Sequence, residues 1–230
     1  MVATDAKDYI LAPIHARRPQ WVRFGVAVGA IALAHEYDDD VREHFETVSV
    51  APGTEPDTHD GKDAAPAVLA LGGTWIAAAI GDQEDGRREA GAMLEAAAFS
   101  GVSAYALKEL TSRERPFATA DADAWGENGD SFPSMHTATA FAIGTVLAES
   151  GNDRVRWLRR TIGYGLGVGT AYARMDHDAH WLSDTVAGAA LGIASARFVM
   201  KQRESDRRGR VTFEPLEGGL SIGYVVDLRP

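Results

Sequence analysis

The stretch SFPSMHTATAFAIG, residues 131–144, combines the features of a helix start with side chains that can do chemistry. Ser131 can cap a helix and Pro133 suits its first turn, after which the alanines favour continued helix. The first amides of that helix, from Ser134 onward, would lack intrahelical acceptors and could bind an anion. His136 adds a side chain whose charge changes near neutral pH. The stretch is consistent with a capped helix that carries a surface histidine, and equally with one half of an anion site.

Helical patterns dominate the rest of the chain. Apolar or alanine-rich helical segments cover residues 9–34, 64–80, 87–110, 156–175 and 179–203, and a short one follows the acidic cluster at 38–40, which can cap it. Residues 50–65, 81–86 and 116–129 are rich in Gly, Pro and Asp, as loops and turns are. We therefore predict an all-α helical bundle.

The C-terminal tail has a different pattern. Residues 211–216 and 220–226 resemble two strands, and the glycines between them favour a turn. We expect a β-hairpin here. The predicted organisation is a helical domain at 1–208 and a hairpin at 209–230 that packs on it.

The composition excludes several kinds of function. The formal net charge is −10, which argues against a nucleic-acid partner, because binding to a phosphate backbone needs an excess of Lys and Arg. The chain has no cysteine, so disulfides, zinc–thiolate sites and cysteine nucleophiles are impossible. A small anionic substrate is still compatible, since a pocket can be positive in an acidic protein.

Membrane insertion depends chiefly on residues 64–80, which carry no charge. This run is shorter than the ~20 residues that usually span a bilayer, and its bulky side chains cluster on one helical face. Other helical segments contain charges such as Glu95 and Arg197. We therefore expect a water-soluble helical domain. The N-terminus lacks the pattern of an export signal, so the protein is expected to be cytoplasmic or to have lost its signal.

A first cluster of cations lies in KELTSRERP, residues 108–116. Lys108 is near the end of a predicted helix, and Arg115 precedes Pro116, which favours extended backbone there. A loop can bring Arg115 back towards Lys108, where the two cations could hold an oxyanion. The same residues are also what a helix C-terminus uses to complement its dipole.

A second cluster, RMDHDAHWLSD at residues 174–184, pairs a histidine with a carboxylate. His180 and Asp184 are four residues apart, so on a helix they would share one face. A carboxylate bonded to one ring nitrogen leaves the other nitrogen with its lone pair, as a nucleophile or base needs. Arg174 adds a permanently charged, forked donor, while His177 is expected in a loop. In isolation, such a His–Asp pair can also be a structural hydrogen bond.

Taken together, the stretch at residues 131–144 and these two clusters contain the parts that phosphoryl transfer needs. Cations neutralise charge on the equatorial oxygens, one histidine can attack phosphorus, and another can protonate the leaving oxygen. None of these groups calls for a metal ion. We therefore expect a phosphoryl-transfer site without metal or other cofactor.

The order K-x6-R-P, P-S-x-H and R-x5-H-x3-D resembles the type 2 phosphatidic acid phosphatase superfamily. That superfamily also contains bacterial class A acid phosphatases and vanadium-dependent haloperoxidases. The motifs lie within residues 108–184, and the rest of the chain carries no comparable signature. The resemblance implies that the phosphoryl oxygens are bound by Lys108, Arg115, Ser134, Met135 and Arg174.

The resemblance also implies catalytic roles. His180 would be the nucleophile that forms a phosphohistidine, Asp184 would orient it, and His136 would be the general acid for the leaving group. Two residues depart from the family pattern: Met135 replaces the usual glycine of P-S-G-H, and Ala173 replaces a usual serine. An amide donates from any residue except proline, so Met135 keeps its backbone contact.

The function that these motifs favour is a metal-independent phosphatase acting on phosphomonoesters or on lipid or isoprenyl (pyro)phosphates. The modest hydrophobicity resembles the soluble acid-phosphatase branch, which implies a periplasmic or secreted bacterial protein; the alternative is a membrane-associated enzyme with peripheral lipid contact. Two other functions stay open. One is a vanadium-dependent haloperoxidase with vanadate bound by His180, and the other is a non-catalytic module that only binds an anion. Phosphate or vanadate can occupy the site in either case, and the oligomeric state is left open.

Overall fold

The computed structural model of the chain describes residues 7, 9, 18–49, 72–73, 84–151, 153–208, 210–216 and 219–225. Six α-helices lie in this part of the chain: α1 Arg18–His35, α2 Asp38–Ser49, α3 Glu84–Thr111, α4 Met135–Glu149, α5 Arg156–Asp176 and α6 Leu182–Arg208. A short 3-10 helix, Asp153–Val155, precedes α5. The predicted all-α class is confirmed.

The helix α4 is the centre of the bundle and contacts α3, α5 and α6. The core that it shares with α3 and α6 is built mainly of small side chains: Ala92, Met93, Ala96, Ala140, Ala142, Ile143, Val146, Ala196 and Val199. Burial of apolar surface stabilises the fold by about 25 cal/mol per Å² removed from water. Because alanine side chains are short, the helices must approach closely to bury that surface. This close packing holds the starts of α4 and α6, which carry two of the motifs, next to each other.

Glycines mark the closest approach between α4 and α5. A Cβ built on Gly144 would overlap the carbonyl oxygen of Gly163, and a Cβ built on Gly163 would overlap that of Gly144. Both positions therefore require a residue without a side chain. The contact fixes the distance between α4, which begins at the P-S-x-H motif, and α5, which carries Arg174 in its last turn.

Three helix starts differ from the prediction. Residues 84–86 are the first turn of α3, so the turn predicted at 81–86 is wrong for those residues. The acidic cluster Asp38–Asp40 is the first turn of α2 itself, where carboxylates are favoured by the helix dipole. Pro133 precedes α4 and is not in its first turn, since α4 begins at Met135.

Some predicted elements fall on residues that the structure does not describe. The loop at 50–65 lies outside the described residues. The helix at 64–80 does too, apart from Gly72 and Gly73, which are helical. The predictions for these segments therefore stay predictions.

The C-terminal tail contains two antiparallel strands, β1 Arg210–Leu216 and β2 Gly219–Val225. Arg210 is opposite Val225, and Leu216 is opposite Gly219, so the register closes on a short connection. The strands lie where the sequence predicts a hairpin. Its packing on the helical domain, and the domain boundary at 208–209, stay predictions.

Large apolar side chains are exposed on three of the described helices. We refer to them as the apolar surface: Trp21, Val22, Phe24, Val26, Val28 and Leu33 on α1, Leu94, Val102, Tyr105 and Leu110 on α3, and Trp157, Leu158, Ile162, Val168 and Tyr172 on α5. Within the described residues, one helical segment, Asp85–Thr111, has the length and composition of a membrane span. That criterion is weak evidence on its own, because core helices of water-soluble proteins also meet it.

Candidate active site

The start of α6 sets the geometry of the predicted catalytic pair. Asp184 lies in the first turn of α6, and its Oδ2 accepts the backbone amide of Trp181 at 3.0 Å. This contact is one half of a capping box, in which an acidic residue holds the amide at the helix start. Nδ1 of His180 lies 3.5 Å from the same oxygen, at the long end of hydrogen-bonding distance. The pair is therefore together, but the prediction that both residues lie on one helix is wrong, since α6 begins at Leu182.

Burial controls the charge of this pair. It lowers the pKa of His180 to about 4, against the opposing hydrogen bond and negative charge of Asp184. Burial alone would raise the pKa of Asp184, but His180 and Arg113 hold that pKa below its usual value. At neutral pH the ring is therefore neutral and the carboxylate ionised. A neutral ring that donates Nδ1–H to Asp184 carries its lone pair on Nε2.

Two further donors hold the carboxylate of Asp184. The Ser131 hydroxyl donates a short hydrogen bond to Oδ2. Nη1 of Arg113 donates to Oδ1 at 2.7 Å, and both of these charged side chains are fully buried. The carboxylate is thus fixed on both oxygens before any substrate binds.

Lys108 lies in the last turn of α3 and is buried. Its ammonium group donates to the carbonyl oxygen of Asp130 and, at 3.4 Å, to that of Ser131. Burial lowers the pKa of Lys108 to about 8, and the positive charges of Arg115 and Arg174 act in the same direction. Arg115 and Arg174 are therefore each close enough to Lys108 for their positive charges to act on it. A local excess of positive charge of this kind favours the binding of an anion.

Arg115 forms a two-bond ion pair with Asp130, a residue that the sequence did not single out. Nε donates to Oδ1 at 2.7 Å and Nη2 donates to Oδ2 at 2.8 Å. The hydrogen bonds from Arg115 hold the pKa of Asp130 below its usual value. In this structure the carboxylate of Asp130 thus accepts the two parallel hydrogen bonds that an arginine can also donate to a phosphate.

Arg174 is buried in the last turn of α5 and is linked to His180 by a tight turn. The turn includes Asp178, whose φ of 53° lies in the left-handed region, and the amide of Ala179 donates to the carbonyl of Arg174 at 3.1 Å. His177, expected in a loop, is the C-cap residue of α5. The turn reverses the chain within the R-x5-H-x3-D motif, between Arg174 and His180.

The start of α4 lies against the start of α6. Ser134 is the N-cap of α4, so the predicted cap at Ser131 is wrong. The hydroxyl of Ser134 caps an amide of the first turn, and its own amide donates to the carbonyl oxygen of Asp184 at 3.0 Å. The amide of Ser134 is therefore used within the fold and is not a free anion donor. Met135 is the first residue of α4, and His136, half-buried, follows in its first turn.

Besides Asp130, two residues of this site escaped the sequence analysis. Arg113 is two residues before Arg115, inside the first motif, and it contacts Asp184 directly. Asp38 belongs to the acidic cluster, for which capping is the obvious role, yet it is buried against Arg113 and Ser183. The place of Arg113 in the cation cluster could have indicated a role at the site. The sequence around Asp38 gives no local indication of such a role.

A cleft of about 200 Å³, including space open to solvent, lies beside His180. It is lined by apolar side chains, including Val41 and Phe45 of α2 and Met175 of α5, and by the ion pair of Arg42 and Asp178. Side chains of α2 therefore lie next to the predicted nucleophile.

The arrangement as a whole can bind an oxyanion and present a neutral imidazole to it. The positive charges of Lys108 and Arg115 act on His180, and Asp184, held by Arg113, lies beside the ring. Within the described residues, no three His, Asp or Glu side chains are grouped as a metal site requires.

Comparison with known families identifies the superfamily of the chain. The family model of the PAP2 superfamily matches residues 89–208, which is more than half of the chain. The chain belongs to the PAP2 superfamily. The match begins within α3, runs to the end of α6 and includes all three motifs, so the PAP2 region contains every predicted site residue.

Similarity to individual PAP2 proteins is narrower. The chain is 40% identical over 68 residues to a lipid A 1-phosphatase of Porphyromonas gingivalis, which covers 30% of this chain and 15% of that protein. The chain thus spans a small part of the length of this curated relative. The crystal structure of Aquifex aeolicus LpxE is similar at 22% identity, over 69% of this chain and 93% of that one, with a TM-score of 0.44. The crystal structure of a transmembrane PAP2 type phosphatidylglycerolphosphate phosphatase from Bacillus subtilis is similar at 18% identity, over 91% and 98%, with a TM-score of 0.46.

Proposed function

We propose that this protein is a phosphatase in which His180 attacks a phosphate ester and forms a phosphohistidine. The observation that carries the proposal is the state of His180: a buried, neutral ring beside Asp184, with the charges of Lys108 and Arg115 acting on it. A neutral imidazole has the lone pair that a nucleophile needs. The neighbouring cations are placed to stabilise the charge of a phosphoryl group.

The proposed reaction has two steps. The lone pair on Nε2 of His180 forms a bond to phosphorus as the bond from phosphorus to the leaving oxygen breaks. The leaving oxygen takes a proton from His136, the general acid that the family resemblance implies. Lys108, Arg115 and Arg174 stabilise the charge on the three remaining oxygens. Water then forms a bond to phosphorus as the bond from phosphorus to Nε2 of His180 breaks and its electron pair returns to the ring. His136 takes a proton from that water, and inorganic phosphate leaves.

Asp184 supports the first step through the ring. As the ring is phosphorylated at Nε2 it becomes positively charged, because Nδ1 keeps its proton. The ionised carboxylate of Asp184 then lies beside that charge. A charge that develops in a buried site is stabilised best by a partner already fixed in position, and Asp184 is fixed by Ser131 and Arg113.

We further propose that the substrate is a lipid phosphate and that the protein acts at a membrane surface. The apolar surface of α1, α3 and α5 supports this, because large exposed apolar patches mark membrane or protein contacts. The similarity to a lipid A 1-phosphatase over 68 residues points the same way. A periplasmic location is part of this proposal.

The histidine mechanism is tested by phosphate release in the presence of EDTA. We expect turnover of a soluble aryl phosphate to survive chelation, and His180→Ala to lower kcat by roughly 10⁴-fold or more, as loss of a nucleophile does. His44→Ala, which changes an exposed histidine on α2, is the matched control. An acid-labile, base-stable ³²P label after a rapid quench would identify the phosphohistidine. Undiminished turnover in His180→Ala would contradict the mechanism, and loss of turnover with EDTA that added metal restores would contradict metal independence.

The substrate class is tested by comparing kcat/KM for the aryl phosphate with that for a lipid phosphate and an isoprenyl pyrophosphate in detergent micelles. We expect the highest value for a lipid phosphate. Sedimentation with vesicles of neutral lipid tests the membrane contact, with replacement of Val22, Phe24 and Val26 by Ser expected to reduce the bound fraction. An enzyme that prefers the soluble ester and stays in the supernatant would contradict the lipid proposal and leave the mechanism intact.

A further inference from the structure

Arg113 has no exposed surface, and each of its five N–H donors has a partner. Nε donates to the carbonyl oxygen of Ala122 at 3.2 Å. Nη1 donates to the Ser183 hydroxyl at 2.8 Å and to Oδ1 of Asp184 at 2.7 Å. Nη2 donates to Oδ2 of Asp38 and to Ala122, both at 2.7 Å. A buried guanidinium with all donors satisfied has one geometry, because any rotation would leave a buried donor without an acceptor.

Asp38 holds the far side of this guanidinium. Its Oδ1 accepts the amide of Ser183 at 2.8 Å, and its Oδ2 accepts the Ser183 hydroxyl at 2.6 Å. His35 at the end of α1 also lies 2.8 Å from Oδ2. Asp38 therefore ties α2 to the first turn of α6, the same turn that carries Asp184.

The order of charges is carboxylate, guanidinium, carboxylate. Arg113 lies between Asp38 and Asp184. The ring centroids of Trp125 and Trp181 lie 4.4 and 5.2 Å from the guanidinium carbon, Cζ, of Arg113. Arg113 is thus separated from solvent, and it approaches the reacting ring only through Asp184. A group in that position can set where the carboxylate points and how much negative charge the ring of His180 experiences.

We propose that Arg113, itself held by Asp38, is a positioning residue that fixes the carboxylate of Asp184 and, through it, the ring of His180. This inference rests on the proposed function for its effect on turnover. It makes α2, which lies outside the three motifs, a part of the catalytic arrangement. Asp38 and Arg113 do not touch the substrate in this proposal.

The two supporting residues should act on His180 in opposite directions. Without Arg113, the negative charge of Asp184 is uncompensated, so the ring of His180 becomes easier to protonate. Without the negative charge of Asp38, the positive charge of Arg113 is less compensated. The ring of His180 then becomes harder to protonate. The side chains of Lys108 of α3, Arg174 of α5, and Arg115 and Asp130 of the intervening loop also act on the site and are kept in both variants. His35 of α1 contacts both Asp38 and Arg113, so its own pKa changes in each variant and is followed in the same titration.

The kinetic test uses Arg113→Met, Arg113→Lys and Asp38→Asn. We expect Arg113→Met to lower kcat by roughly 10- to 100-fold, the size of effect seen for groups that support a catalytic residue, with KM changed less than about threefold. Arg113→Lys keeps the charge but not the fork, so it should restore part of kcat. Arg159→Met is the matched control, because Arg159 also pairs with a partly buried carboxylate, Glu89, at the other end of the bundle.

A second readout does not need turnover. NMR titration of the His180 ring, assigned by its absence in His180→Gln, should show a higher pKa in Arg113→Met and no upward shift in Asp38→Asn or Arg159→Met. If Arg113→Met does not fold, the double variant Arg113→Met with Asp38→Asn removes both charges together and should still lower kcat. An unchanged His180 titration and unchanged kcat in a folded Arg113 variant would overturn the inference. Absence of turnover in the wild-type protein would instead contradict the proposed function, while the titration would still test the positioning role.

Discussion

The guanidinium of Arg115 and the carboxylate of Asp130 are joined by two parallel hydrogen bonds of 2.7 and 2.8 Å. Asp130 is largely exposed, at 62% of its side chain, whereas Arg115 is mostly buried at 17%. The carboxylate therefore occupies, from the solvent side, the donors of Arg115 that the proposed mechanism assigns to a phosphoryl group. Binding of a phosphate would have to displace it or share Arg115 with it.

Replacing Asp130 should strengthen phosphate binding. We expect Asp130→Asn to lower the Kd of inorganic phosphate by up to about fivefold, because a solvent-exposed ion pair is worth about 0.2–1 kcal/mol. Isothermal titration calorimetry measures the effect directly. Glu149→Gln, which removes the partner of Arg160 far from the site, is the control. Weaker phosphate binding in Asp130→Asn would mean that the carboxylate aims Arg115 and does not compete for it.

Phosphate affinity should fall at alkaline pH because of Lys108. Its pKa of about 8 means that the ammonium group is charged below that pH and loses its charge as the pH rises through it. Arg115 and Arg174 stay charged over the same range, and inorganic phosphate is already a dianion above pH 8. Titrations between pH 7 and 9.5 should therefore show a decrease in the wild-type protein. Lys108→Met should bind weakly at all pH values, and an equal decrease in that variant would assign the effect to another group.

Loss of the Ser131 hydroxyl should affect both stability and rate. The bond from Ser131 to the ionised, buried Asp184 is of the charge-assisted kind, worth about 1.5–3 kcal/mol. We expect Ser131→Ala to lower the free energy of unfolding by an amount in that range, measured by urea denaturation, and to lower kcat. Ser100→Ala is the control, since that buried hydroxyl only donates to a backbone carbonyl at 3.0 Å on α3. A Ser131→Ala protein with unchanged stability and rate would show that the other donors to Asp184 suffice.

The contact between α4 and α5 should not tolerate a methyl group. Gly163→Ala would put a Cβ onto the carbonyl oxygen of Gly144, and overpacking of this kind costs about 1–3 kcal/mol. Gly165→Ala, on the open side of the same helix, should instead stabilise by up to about 1 kcal/mol through helix propensity. Thermal unfolding of the two variants gives the comparison. Equal melting temperatures would mean that α4 and α5 can separate without loss.

The helices could be predicted because their signals are local. The alanine-rich segment predicted as a helix at 87–110 is α3, Glu84–Thr111, and the segment predicted at 156–175 is α5, Arg156–Asp176. Helix starts were less certain, because several residues in a row can cap. Ser131 and Ser134 are both good caps by residue type. In the structure Ser134 caps α4, whereas Ser131 donates its hydrogen bond to Asp184.

The supporting residues could not be predicted because their contacts are distant in sequence. Asp38 meets Ser183 across 145 positions, and Arg113 meets Asp184 across 71. Such contacts arise only when α2, α3 and α6 have packed. An acidic residue at a helix start is usually explained by capping alone, so the sequence pattern around Asp38 had no reason to suggest a buried partner.

The sequence by itself determined which chemical groups this protein has and in what order: the three motifs, the histidines and the cations, since residue type and spacing are written in it. The tertiary structure decided their states. It makes His180 neutral and Asp184 ionised by burying them together, lowers the pKa of Lys108, and assigns Arg113 to Asp184 and Arg115 to Asp130. Charge and hydrogen bonding depend on what surrounds a group in space, and those neighbours come from distant parts of the chain.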